Sequence, residues 1–372
     1  MKKRILATIL LAVVLVSNGL TALAATSGLP ANATIEQRKA YVQQEMERLI
    51  PRNTLYYNPS LRTQSVEPLY LGLSMNSSVT NAVNNNPQIY KDLGAVVFSD
   101  IDSDNPPWYG HLVALGVYSG MINGYPDGTF GGSNSVTIGE FATMLAKAQY
   151  DSQAIANADT DIRNQARDAA AAGSPNGGDN FMFGWVQHPT KKVWWIGPYV
   201  RVGSAMPTIM EFYYPQNEAV AASYGGTGMS RGDVARAICI TFFRSEFNAR
   251  VESIGGDMWG KGGGTMPSNN FTDATRINQS TTTQALVRER ERLEDGGTHR
   301  FTTFELYRDC IANPSNGVPV EYLAAISILR EKNIMNGYPD GSSGWDRSVT
   351  RGESLQFLYN VGAYWQANGN KW

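Results

Sequence analysis

Gly124-Tyr125-Pro126-Asp127-Gly128 and Gly337-Tyr338-Pro339-Asp340-Gly341 are identical pentapeptides in a chain of 372 residues. Each is followed, at the same offset, by a related tetrapeptide: Thr137-Ile138-Gly139-Glu140 after the first and Thr350-Arg351-Gly352-Glu353 after the second. Identity at a fixed spacing marks an internal repeat, so the chain is read as copies of one unit.

Each part of the unit has a local mechanical meaning. In Tyr-Pro-Asp-Gly, proline presets the backbone at the second turn position and glycine suits the fourth, which predicts a tight type I turn braced by Asp127 and Asp340 and closed at Gly128 and Gly341. Thr137 and Thr350 have the character of helix N-caps. Glu140 and Glu353, three residues on, can bond back to the cap's own amide. Beyond the first cap, Phe141, Met144, Leu145 and Ala148 fall at i, i+3, i+4 and i+7, the spacing of a helix with one buried face. Upstream of the turns, Tyr109 matches Tyr322, Val113 matches Ile326 and Leu115 matches Ile328. The expected unit is helix, turn-bearing loop, capped helix.

A divergent copy is expected between these two. Ser230-Arg231-Gly232-Asp233 has the same cap logic with aspartate in place of glutamate, and Val234, Ala237 and Ile238 continue it at helical spacing. Tyr214-Pro215 stands where Tyr125-Pro126 stands, and Trp194 or Trp195 where Trp108 stands.

Phe98-Ser99-Asp100, Trp108-Tyr109, Gly124 to Phe130 and the Thr-x-Gly-Glu cap together resemble the S-layer homology domain, whose hallmark includes a Thr-Arg-Ala-Glu tetrapeptide. The resemblance is specific in the first and last copies and weak in the middle one. It implies a mainly α fold, a pseudo-trimer of three helix-loop-helix repeats with long loops, that anchors a surface protein to the bacterial cell wall. The implied ligand is a secondary cell-wall polysaccharide bearing an acidic group such as a pyruvate ketal, held in grooves between repeats. The family's tetrapeptide arginine contributes to recognition of that acid, and here it maps onto Arg231 and Arg351. The expected glycan-binding residues are Arg231, Arg351, Trp108, Trp195, Gly232, Gly352, Tyr125 and Tyr338, with backbone amides at the helix starts as added donors.

The departures from the pattern also carry information. Ile138 stands where arginine is expected, so the first copy lacks a guanidinium fork. Glu321 takes the register of Trp108, replacing an aromatic platform with a charge expected to repel an acidic ligand. Phe271-Thr272-Asp273 repeats the Phe98-Ser99-Asp100 opening but is separated from the helix near Val320 by an insertion at about 276–317, and added loop length costs little closure entropy. The Arg288-Glu289-Arg290-Glu291-Arg292 run inside it reads as a solvated helix face.

Lys2, Lys3 and Arg4 precede an apolar run from Ile5 to Val16, and Ala22-Leu23-Ala24 offers small residues to a signal peptidase. Residues 1–24 are therefore expected to be a signal peptide, and the apolar run is short for a membrane span. The remaining plan is an N-terminal extension of unassigned role over 25–97, repeat 1 over 98–150, a divergent repeat 2 over 181–247 and repeat 3 over 271–364. Within the extension, Ile35 to Leu49 is expected to form an amphipathic helix ended by Pro51.

With 42% hydrophobic and 17% charged residues and a formal net charge of −2, the composition is that of a globular protein with no basic excess for nucleic acid. Losing the leader would remove three positive charges. Catalytic signatures are missing: His111, His188 and His299 are scattered, with His111 expected on the polar side of its helix. Gly255 to Lys261 has phosphate-loop spacing but Gly262 where Ser or Thr should follow, and it reads as a glycine-rich loop. Asp100, Asp102 and Asp104 imitate a calcium loop without its turn glycine or terminal glutamate, and read as a polar lead-in. No metal or cofactor is expected. Cys239 is expected as a buried thiol, while its pairing with Cys310 is left open.

The function expected is a non-catalytic, secreted wall-binding protein. Two other readings stand beside it: a structural subunit whose repeats assemble with other surface-layer subunits, and a wall glycan hydrolase with an unrecognised site.

Overall fold

The computed structural model describes residues 29–30, 32–50, 56–58, 63–65, 67–102, 104–171, 196–202, 226–255, 271–275, 277 and 310–369. The proposed leader, Trp194, Trp195, Tyr214-Pro215, His188, His299, Lys261 and the 288–292 charge run lie outside the described residues. The fold is mainly helical. In chain order the elements are α1 (Ile35–Leu49), β1 (Tyr56–Asn58), β2 (Thr63–Ser65), α2 (Tyr70–Ser74), α3 (Ser77–Asn85), α4 (Pro87–Val97), α5 (Gly110–Tyr118), α6 (Ile138–Gln149), α7 (Ser152–Ala171), α8 (Gly197–Arg201), α9 (Arg231–Phe242), α10 (Arg244–Gly255), α11 (Val320–Glu331) and α12 (Arg351–Ala367). The strands pair antiparallel as a hairpin with Tyr57 opposite Gln64. No described helix is long and apolar enough to cross a membrane.

The chain divides into two compact units, one of residues 1–55 and 76–131 and the other of 56–75 and 132–372. The boundary at Gly131 falls inside the segment read from sequence as the first repeat, between its turn and its capped helix.

In the first unit, α1 starts on a Thr34 capping box: Gln37 N–H donates to Thr34 Oγ1 and the Gln37 side chain accepts from the Thr34 amide at 2.8 Å. It buries Val42 and Met46 and packs against α4 and α5. Its bounds match the amphipathic segment read from the sequence. After α4, Phe98 turns inward fully buried against Phe130, and Tyr109 packs on the same ring. Asp100 then ties the turn down, its two oxygens accepting the amides of Phe130 and Gly131 at 2.7 Å each. Asp102 accepts the Asp104 amide, so the first two of the three carboxylates serve local turns. Among the described residues no group of acids, histidines or cysteines is placed to hold a metal.

Gly337-Tyr338-Pro339-Asp340-Gly341 builds the same turn as its identical counterpart, within the second unit. Gly128 N–H donates to Tyr125 carbonyl at 3.0 Å, and Gly341 N–H to Tyr338 carbonyl at 2.9 Å. Gly128 has φ +83° and Gly341 φ +80°, left-handed values that favour glycine and that follow a type I turn when the chain doubles back. Asp127 and Asp340 each accept the amide two residues on, from Thr129 and Ser342, at 2.9 Å. Asp273 repeats the role of Asp100, accepting the Ser343 and Gly344 amides at 2.7 Å and the Ser343 hydroxyl at 3.0 Å. Ile277 and Val318 form a parallel bridge, so the chain leaves for the insertion and returns from it at one place.

The second unit also contains α6, α9 and α12, each begun by a reciprocal capping box: Thr137 with Glu140, Ser230 with Asp233 and Thr350 with Glu353. The residues just before the three caps meet in a closed cycle. Val136 N–H donates to Val349 carbonyl (2.8 Å), Val349 N–H to Met229 carbonyl (3.0 Å) and Met229 N–H to Val136 carbonyl (2.9 Å). All three side chains are buried. A second cycle runs in the opposite sense through the first helical amides, from Ile138 to Thr227 carbonyl, Arg231 to Arg347 carbonyl and Arg351 to Asn134 carbonyl, at 2.8–3.0 Å.

Flanking helices cover this centre. α11 lies on α9, where the Cys239 thiol faces Ala325 carbonyl, and on α10, where Arg250 grips Glu331 through two contacts of 2.9 Å. Cys239 and Cys310 are both buried and are not joined in a disulfide. α2, from the segment read as an unassigned extension, lies on α12: the Tyr70 hydroxyl donates to Leu355 carbonyl at 3.2 Å and Ser74 abuts Gly362. α7 and α8 enclose Tyr150, Ala158 and Val202.

Asp273→Ala would leave two amides of the last turn without acceptors, a loss of about 2 kcal/mol. Denaturant unfolding followed by circular dichroism checks this, and an unchanged midpoint would refute the brace.

Candidate functional site

The three capping boxes bring the first helical residues, Ile138, Arg231 and Arg351, into equivalent places. Arg231 is 5% exposed. Its guanidinium carbon lies 5.0 Å from the ring centres of both Tyr338 and Phe357, Nη2 donates to Asn336 carbonyl, and Nη1 stands 3.6 Å from Glu353. Its Nε is buried with no hydrogen-bond partner among the described residues. Burial pulls the Arg231 pKa below its ordinary value, with Arg347 acting in the same direction against Tyr338 and Glu353; a guanidinium stays charged regardless. Arg351 is also buried, with Nη1 2.8 Å from Glu140.

The arginine of one cap thus reaches the capping glutamate of another, Arg231 to Glu353 and Arg351 to Glu140. The remaining place in the cycle falls to Ile138 and Asp233, and Ile138 has nothing to donate. Asp233 is fully buried and is satisfied another way: it accepts the Ser230 amide and hydroxyl at 2.8 Å each, and the Tyr322 hydroxyl. Gly232 allows this approach, because a Cβ there would run into the Tyr322 ring. Burial raises the Asp233 pKa, opposed by those hydrogen bonds and by Arg236.

Of the residues expected from sequence, Arg231, Arg351, Gly232, Gly352 and Tyr338 come together in the second unit with Thr137, Glu140, Thr350, Glu353, Asp340 and Gly341. Trp108, Tyr125, Asp127 and Gly128 belong to the first unit. Trp108 is 54% exposed and meets Tyr109 edge-on, with ring centres 5.3 Å apart.

Three expectations need correction. The helix-start amides are used within the protein: Gly232 N–H donates to Trp345 carbonyl and Gly352 N–H to Gly132 carbonyl, beside the cycle already described. Glu321 is ion-paired with Arg236 across α9 and α11, so it is no unbalanced negative charge. His111 is half-buried rather than on a polar face, and burial lowers its pKa.

Sequence reasoning did not find Asn336, Phe357 or Arg347 around Arg231, nor the bracing role of Asp100 and Asp273. The braces had a signal, since the aspartate closing each Phe-x-Asp opening precedes a matching turn. Phe357 had none beyond the helical repeat of α12.

Because folding raises the Asp233 pKa, the folded state binds the proton more tightly than the unfolded one. This group therefore costs stability as pH rises through and above the ordinary aspartate range. Subtracting the stability of Asp233→Asn from that of the unaltered protein should leave a difference that falls across that range in denaturant titrations. A flat difference would refute the burial argument.

No curated protein and no solved structure matches the chain. The S-layer homology domain model matches residues 97–142, a stretch running from the end of α4 through α5 and the first turn into α6. That domain is in general one of bacterial cell-surface proteins that hold to cell-wall polymers, and the match associates this chain with the bacterial cell surface.

Proposed function

We propose that the chain is a secreted, non-catalytic protein held non-covalently on the bacterial cell wall by three S-layer homology repeats, the second divergent, which bind an acidic secondary wall polysaccharide. The observation that carries this reading is the cyclic bonding of three capped helix starts, one of which, α6, begins inside the family match at 97–142. Three equivalent starts in one cycle are what three copies of one unit would make.

The proposed glycan site is built around Arg231, Arg351, Gly232, Gly352 and Tyr338 in one unit, with the two buried arginines and the two glycines as its frame, and around Trp108 and Tyr125 in the other. Trp195 is included on sequence grounds. Trp108 supports the reading because an exposed indole offers a flat apolar face to a sugar ring. Ile138 leaves at most two arginine-bearing grooves, so useful retention on a wall would come from several modest contacts acting together.

A second reading, assembly with other surface-layer subunits, draws on the burial and ion pairing of both cap arginines, which limits how much of either guanidinium a ligand could reach. Sedimentation with peptidoglycan sacculi separates the two. The purified chain should pellet with intact sacculi and stay in solution once acid extraction has stripped the attached polysaccharide. Failure to pellet with intact sacculi, together with concentration-dependent oligomers in light scattering, would favour assembly.

A further inference from the structure

The two cap arginines are poorly placed to meet a ligand. Their side chains are 6% and 9% exposed, and both already face a capping glutamate. A third arginine beside them differs on both counts. The Arg347 side chain is 49% exposed, and its guanidinium carbon lies 4.3 Å from the centre of the Tyr338 ring, the same ring that Arg231 contacts at 5.0 Å. Its only ion pair among the described residues is an open one, Nη2 to Asp340 at 3.3 Å, with the Asp340 side chain 58% exposed.

The backbone of Arg347 is fixed from both sides. Its carbonyl accepts the Arg231 amide at 2.8 Å as a member of the outer cycle, and its amide donates to Gly344 carbonyl at 3.0 Å. The side chain therefore projects from a rigid stem onto an aromatic support, which lowers the entropy lost when the fork closes on an anion. At the matching place before the first cap stands Asn134, which uses its carbonyl for Arg351 but carries no charge. Arg231, with its Nε buried and unpartnered among the described residues, adds fixed positive charge close to the same ring.

We propose that Arg347 makes the direct contact to the carboxylate of the anionic glycan, seated on Tyr338, and that Arg231 is a positioning residue holding Tyr338 and the Asn336 carbonyl in place. This rests on the wall-anchoring reading. The ligand carboxylate takes the place of Asp340 at the Arg347 fork. Asp340 keeps its other oxygen on the Ser342 amide, so the turn survives the exchange.

The test is sedimentation of the purified chain with intact sacculi. Arg347→Gln should weaken binding about tenfold, the scale of one charge-assisted hydrogen-bonded pair. Asp340→Asn, which retains the turn acceptor but drops the competing charge, should tighten binding. A merely structural Arg347–Asp340 pair would instead make both variants bind more weakly. Arg347→Gln should also flatten the salt dependence of binding. Arg231→Lys should leave that dependence unchanged, because its charge remains near the ring. Equal binding by Arg347→Gln and the unaltered chain, or weakening by Asp340→Asn, overturns the proposal while leaving wall binding intact. If the unaltered chain does not bind, the proposal falls together with the wall-anchoring reading.

Discussion

Three backbone amides arranged in a closed cycle are the constraint on which the second unit depends. Each of Val136, Met229 and Val349 donates to one neighbour and accepts from the other, and none has a helix or sheet ladder as an alternative at that point. Buried peptide groups must find partners, so removing any one segment would orphan groups in the other two. The outer cycle through Ile138, Arg231 and Arg351 repeats the condition one layer out. Once these three segments are joined, the axes of α6, α9 and α12 are set by their caps, and the side chains of the first helical residues follow.

The asymmetry among the three places comes from single residues. Two places join an arginine to a capping glutamate, and the third has Ile138 with a shorter, buried Asp233. A buried carboxylate without a paired cation would be costly, and here Tyr322 supplies the missing donor from α11. The missing arginine–glutamate contact at this place is thus compensated within the site: Asp233, Tyr322 and Gly232 form one set, and changing one member exposes the others.

Much of this was legible from sequence because it is local. The Tyr-Pro-Asp-Gly turns and the cap tetrapeptides have chemistry confined to four residues, and α6, α9 and α12 start where their caps indicate. Thr34 shows a miss of the same kind, since its partner Gln37 stands at capping-box spacing and was not used. What was not legible depends on distant parts of the chain. Nothing near Arg231 announces Phe357 or Asn336, and nothing near Glu321 announces Arg236, because these pairs are made by helices packing across about a hundred residues of chain or by the arginine's own depth. The helix-start amides were misjudged for the same reason: a free cap looks like an anion site until another segment is found to occupy it. The extension beyond α1 was unreadable because β1, β2 and α2 belong to one unit while the helices on either side belong to the other.

The central claim is that the three cap-preceding amides are one cooperative device. Native-state hydrogen exchange at Val136, Met229 and Val349 tests it most directly. The account predicts that all three exchange only through global unfolding of the second unit, with equal opening free energies that fall together in denaturant. Exchange at Met229 by a separate, lower-energy opening, with Val136 and Val349 still protected, would contradict it.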